Sequence, residues 1–134
     1  LYPYAELIKK KKCDFIMTAH IFNSNLDDKL PATLSKKILT GILRDSLKFN
    51  GVIFSDDMQM KAIADHYGLE SAVEFAINAG VDIITFANNV TYDENIVPKV
   101  FNIIKKLLKE GKITEERINQ SFNRIMKYKK LLSK

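Results

Sequence analysis

Apolar residues fall along this chain in two alternating patterns. Short unbroken runs, which a strand covered on both faces requires, are separated by longer stretches with apolar positions three and four apart, as on one side of a helix. The runs are Cys13 to His20, Val52 to Ser55 and Val81 to Ala87. Between them, Ile38, Leu39, Ile42, Leu43 and Leu47 recur at helical spacing over 35–47, with Lys36, Lys37 and Arg44 expected outside. Helices are also predicted over 58–67 and 69–79, with Gly80 at the C′ position. At the start of the chain, Tyr4, Leu7 and Ile8 share a helical face before four lysines.

Two further helices finish the pattern. One over 95–110 is expected to turn Val97, Val100, Phe101, Ile104, Leu107 and Leu108 inward, with Pro98 in its first turn, where proline is tolerated, and Gly111 at its end. The other begins at the cap Thr114, carries Glu115 and Glu116 in its first turn, and lets Ile113 pack on Ile118. Short apolar strands separated by amphipathic helices predict βαβ units and a parallel sheet. In such folds, chemistry gathers at the carboxyl ends of the strands. Those ends read Ala19-His20, Ser55-Asp56-Asp57 and Asn88-Asn89, polar in each case.

Composition narrows the classes. The 134 residues are 46% hydrophobic and 28% charged, which suits one globular domain. No apolar run is long enough for a membrane span, and the lone Cys13 cannot form an internal disulfide. The net charge of +5 is small for a nucleic-acid binder, and Lys9 to Lys12 read as a solvated helix face. Neither nucleic acid nor membrane is therefore an expected partner. The chain begins with Leu1, so it is expected to be cut from a longer polypeptide or to start inside a gene.

Asp56 and Asp57 end a buried run, where rigid backbone suits a nucleophile or general base, while Asp57 also fits as a cap on the next helix. Neighbours on a strand point to opposite faces, so one site would take only one of them. His20 is read either as a substrate contact or as a hydrogen-bonded rim residue. His66 is remote, so zinc has little support. Met58 and Met60 are read as core packing or as an apolar wall under a sugar ring. Asn88 and Asn89 are read as ligand contacts or as the turn after the strand. No phosphate-binding glycine loop occurs.

The segment Asn50-Gly51-Val52-Ile53-Phe54-Ser55-Asp56-Asp57-Met58-Gln59-Met60 resembles the nucleophile segment of glycoside hydrolase family 3, in its bacterial β-N-acetylhexosaminidase branch. That branch reads G-F-x-G-V-I-F-S-D-D-L-x-M, whereas the β-glucosidase branch has S-D-W. Phe15 to Ile21 is similar to the family's M-x-A-H-V segment, Leu30 to Ser35 to its P-A-x-x-S segment, and Ala79 to Ile84 to its A-G-x-D-x-x strand. The resemblance implies a (β/α)8 TIM barrel and a retaining double displacement with Asp56 as nucleophile. By their place at the strand ends, His20, Met58 and Asn88 are the expected substrate contacts, and two side chains suffice for the reaction, so no metal or organic cofactor is expected. The branch's acid/base, a His–Asp pair on a K-H-F-P-G-H-G-D-T loop, has no counterpart here; His20 and His66 match neither of its histidines.

About three strands are read where a complete barrel has eight. The expectation for residues 1–134 is therefore the C-terminal segment of the catalytic barrel, inactive until completed by the missing N-terminal half or by self-association. The expected substrate is a β-linked N-acetylglucosaminide, glycan or muropeptide. The expected location is cytoplasmic, with export as the alternative. A β-glucosidase-like relative and an inactive half-barrel serving as a binding or assembly module are the rival readings.

Overall fold

In the computed structural model, residues 1–89 and 92–132 are described. The order is α1 (Tyr2–Lys9), β1 (Phe15–Met17), a 3-10 turn (Ala32–Leu34), a π-helix (Lys37–Ser46), β2 (Val52–Asp57), α2 (Lys61–Ala79), β3 (Ile83–Thr85), α3 (Ile96–Lys109) and α4 (Glu115–Leu132). The three strands form one parallel sheet in the order β1-β2-β3. All the predicted elements are present; β1 and β3 are shorter than the apolar runs that announced them, and β2 extends two residues past its own.

The sheet has one covered and one open face. Ile16 pairs with Ile53 in register, and both pack with the helices in a core that includes Leu34, Leu39, Phe49 and Ile63. Because side chains alternate along a strand, Phe15, Met17 and Phe54 point to the opposite side. There Phe15 is 48% and Met17 58% exposed. The expectation of strands buried on both faces is thus met by β2 alone; among the described residues β1 and β3 are left partly uncovered on one side, where the Tyr128 ring meets Phe15 at 4.9 Å. A second core joins α2 to the last two helices through Val73, Ile77, Leu107 and Ile113.

Two departures have clear causes. The helix before β2 winds with Leu47 N–H bonded to the Ile42 carbonyl, five residues back, at 2.9 Å. In this wider winding, residues four and five apart share a face. The Arg44 side chain, 10% exposed, turns in to the Phe49 and Gly51 carbonyls and Asp82 instead of lying outside. In α3, Val97 and Phe101, expected inward, are 72% and 60% exposed; they line an apolar groove against β3 that the described residues leave open. The predicted break between two helices occurs at Gly68, whose φ of 68° and ψ of 161° interrupt α2.

Gly51 is required by a close approach. A Cβ there would lie 2.2 Å from the Asp14 carbonyl oxygen and 2.5 Å from the Phe49 ring. The first contact is backbone feeding β1 and cannot move without disturbing the β1–β2 pairing, since Val52 N–H bonds that same carbonyl at 3.0 Å. Gly51→Ala is expected to destabilise the fold by about 3 kcal/mol, read as a lower denaturation midpoint.

Candidate active site

The carboxyl ends of the three strands converge on the Asp56–Asp57 step. Asp57 is 8% exposed. Its Oδ1 accepts the N–H groups of Gln59 at 3.0 Å and Ala87 at 3.1 Å, tying the end of β2 to the end of β3. Asp57 is therefore structural, as its reading as a cap allowed. Asp56 precedes it within a register shift between Phe54 and Asp57, where β2 carries one more residue than β3. Asp56 is half-buried, accepts the Asp57 N–H on Oδ1 at 2.8 Å, and takes part in no ion pair among the described residues. A carboxylate so placed keeps its second oxygen available for a ligand above the rim.

His20 lies beside this step but has no free ring nitrogen. Its Nε2 is 2.9 Å from the Asp57 carbonyl oxygen and its Nδ1 is 2.9 Å from Thr33 Oγ1. This is the hydrogen-bonded rim histidine, and as a direct ligand contact it would have to give up one of these bonds. Met58 is 2% exposed and packed in the core; it supports the rim from below and presents no surface for a sugar. Asn88 sits at φ 57° and forms the turn after β3. Its Oδ1 accepts from Asp93 N–H at 2.8 Å, its Nδ2 donates to the Asp93 carbonyl at 3.1 Å, and its N–H donates to Gln59 Oε1 at 2.8 Å. Of the expected substrate contacts, then, three are committed within the protein, because a strand end needs these polar groups to close its own loops. Asp56 alone stands open.

The model of the Glycosyl hydrolase family 3 N terminal domain matches residues 1–128. The chain belongs to glycosyl hydrolase family 3. A beta-hexosaminidase from Tolumonas auensis is 43% identical over 89 residues, covering 66% of this chain and 26% of its own length. The chain thus spans about a quarter of the curated relatives it matches. Among solved structures, Zn-bound CbsA from Thermotoga neapolitana superposes with a TM-score of 0.89 at 33% identity, over 98% of this chain and 28% of that one. The beta-N-acetylglucosaminidase from Thermotoga maritima superposes with a TM-score of 0.85 at 33% identity, over 94% of this chain and 27% of that one. The three parallel strands with flanking helices are accordingly one arc of the family's barrel fold. Among the described residues, no three His, Cys, Asp or Glu side chains gather as a metal site, and no helix is long and apolar enough to cross a membrane.

At the opposite end of this family 3 sheet lies a cluster that the sequence reading did not single out. The Asp82 carboxylate, fully buried, meets Arg44 at 2.7 Å, Arg124 at 3.0 Å and Arg117 at 3.4 Å. It also accepts the Ser121 hydroxyl at 2.7 Å and the Ile53 N–H at 3.0 Å. Burial pushes its pKa up, but the Ile53 N–H, Ser121 and the guanidiniums of Arg44 and Arg124 outweigh that and hold it below the usual carboxylate range. Burial likewise brings Arg44 down to about 10, against the pull of Asp82. The amino end of barrel strands is where stability, rather than chemistry, is built. A charged residue inside the third apolar run was the available signal.

The other residues missed were Thr18, Thr33 and Gln59, which bridge neighbouring strand ends. Thr33 is held in place by its loop: buried Asp27 accepts the N–H groups of Lys29 and Leu30 and the Ser35 hydroxyl. A threonine within the Pro31-Ala32-Thr33-Leu34-Ser35 segment gave no sign of this by itself.

Proposed function

We propose that this chain supplies the nucleophile half of a retaining β-N-acetylhexosaminidase that releases terminal N-acetylglucosamine from β-linked glycans or muropeptides. The observation that supports it is Asp56, half-buried at the carboxyl end of β2, with one N–H on its Oδ1 and no ion pair among the described residues. In the first step, an Asp56 oxygen bonds to the anomeric carbon as the glycosidic C–O bond breaks, and the leaving oxygen takes a proton from an acid. In the second, that group, now a base, deprotonates a water. The water displaces Asp56 and restores the original anomeric configuration. The acid/base is supplied from outside this chain: His20 is spent within the rim, and His66 stands on α2 beside Tyr67.

The remaining barrel strands would cover the open side of β1 and β3 and the apolar groove of about 440 Å³ lined by Ile84, Phe86, Val97, Phe101 and Phe122. That the chain matches only about a quarter of its relatives' length supports a further segment over a second copy as that cover. The free Cys13 suits a cytoplasmic location.

The test compares the isolated chain with the completed barrel, meaning this segment joined to the one bearing the other strands. The isolated chain is expected to show no turnover of aryl N-acetyl-β-glucosaminides, and the completed barrel to hydrolyse them in preference to aryl β-glucosides. An activated fluorinated N-acetylglucosaminide should add one sugar to the peptide containing Asp56, read by mass spectrometry. A sugar attached elsewhere, or preference for the glucoside, would overturn the assignment.

A further inference from the structure

Asp56 leans on its neighbour, and its neighbour is pinned from several sides. The Asp57 N–H donates to Asp56 Oδ1 at 2.8 Å. The next peptide is fixed at both ends: the Asp57 carbonyl accepts from His20 Nε2 at 2.9 Å and from the Met60 N–H at 3.1 Å, and the Met58 N–H donates to the Thr85 carbonyl at 3.0 Å. The Asp57 carboxylate is held by Gln59 and Ala87, as described above. Of these contacts, the bond from His20 is the one made by a side chain from β1's loop.

His20 is itself braced. A carbonyl opposite Nε2 demands that this nitrogen carry a proton, which in the neutral ring leaves Nδ1 as an acceptor. Thr33 Oγ1, 2.9 Å from Nδ1, then donates to it. Thr18 Oγ1, 2.8 Å from Thr33 Oγ1, donates in turn to Thr33. Thr33 is wholly buried and Thr18 nearly so. The result is one directed chain of hydrogen bonds, Thr18 to Thr33 to His20 to the Asp57 carbonyl, running across the rim from β1 to β2.

We propose that His20 is a positioning residue: braced by Thr33 and Thr18, it holds the Asp57 carbonyl, in the peptide next to the one whose N–H the Asp56 carboxylate accepts. The inference rests on the reading of Asp56 as nucleophile. A carboxylate attacking in line needs its oxygen held to within about 0.5 Å, and a displacement of about 1 Å costs on the order of 100-fold in rate. His20 touches neither substrate nor reacting atoms, so its loss acts on kcat and leaves KM nearly unchanged.

The test uses the completed barrel. His20→Leu removes the donor at similar volume and is expected to lower kcat, and the rate of labelling of Asp56 by the fluorinated glycoside, about 100-fold. His20→Gln, whose amide N–H can still reach the Asp57 carbonyl, should recover most of that loss. Thr33→Val, which keeps the shape without the hydroxyl, should fall between the two. A merely structural His20 would lower the denaturation midpoint and leave kcat per folded molecule unchanged in all three. Nitrogen-15 NMR of the unmutated protein gives a readout that needs no variant to fold: Nε2 protonated and Nδ1 bare is expected, and the reverse tautomer would overturn the proposal. Labelling of His20→Leu at the unmutated rate would overturn it too, while the nucleophile assignment stood. Absence of labelling in the unmutated protein would instead bring down the nucleophile reading, and this inference with it.

Discussion

Asp56→Asn in the completed barrel is expected to cut hydrolysis of an aryl N-acetyl-β-glucosaminide by about 10⁴-fold, or about 5.4 kcal/mol of transition-state stabilisation. The amide is the same size, and its oxygen can still accept the Asp57 N–H that Asp56 Oδ1 now accepts at 2.8 Å. Fold and substrate affinity should therefore persist, and the loss should appear in kcat. A neutral amide oxygen is a poor nucleophile toward an anomeric carbon, so no glycosyl ester forms and no labelled peptide is recovered. Steady-state rates with a chromogenic glycoside give the answer directly. Turnover within tenfold of the unmutated protein would remove Asp56 from the mechanism.

The largest effect on stability is expected at the other end of the same sheet. Asp82→Asn keeps the volume but takes away the negative charge from among three guanidiniums at 2.7 to 3.4 Å. Removing one partner of a buried ion pair leaves the others uncompensated, at a cost of about 3–5 kcal/mol. Denaturant titration of the completed barrel measures it. The pH dependence has a definite sign. The Asp82 carboxyl lies below its ordinary value in the folded protein, so its stabilisation is fully present above the unfolded pKa of about 3.9 and is lost as pH falls through the lower folded value. The unmutated protein should lose stability on acidification across that range. Asp82→Asn should lack this component, and a parallel acid dependence in the two proteins would show that the carboxylate is not the group responsible.

How far the sequence was legible depends on which residues report on local structure alone. Helix ends carried by Gly80, Gly111 and Thr114 lie where their chemistry dictates: Gly80 at φ 121°, Gly111 at φ 69°, and Thr114 Oγ1 accepting the Arg117 N–H at 3.1 Å. The three strands follow from the apolar runs, which are also local. Arg44 was misread because a helical period of 3.6 was assumed, and the wider winding over Lys37–Ser46 turned it inward. Phe15, Met17 and Phe101 were misread as covered because an apolar residue shows that it needs burial and not which segment provides it. His20, Met58 and Asn88 looked like ligand contacts by position. Only the distances to Thr33, Asp57, Asp93 and Gln59 reveal that their polar atoms, or in Met58 the whole side chain, are occupied by the protein itself.

Tandem aspartates at one strand end suggest redundancy, and their partners forbid it. For Asp57 to take over from Asp56, its carboxylate would have to leave the strand ends it joins, and Ala87 and Gln59 would lose their shared acceptor. Doubling the acid therefore confers no spare: a lineage that lost the first could not promote the second without rebuilding the strand around it.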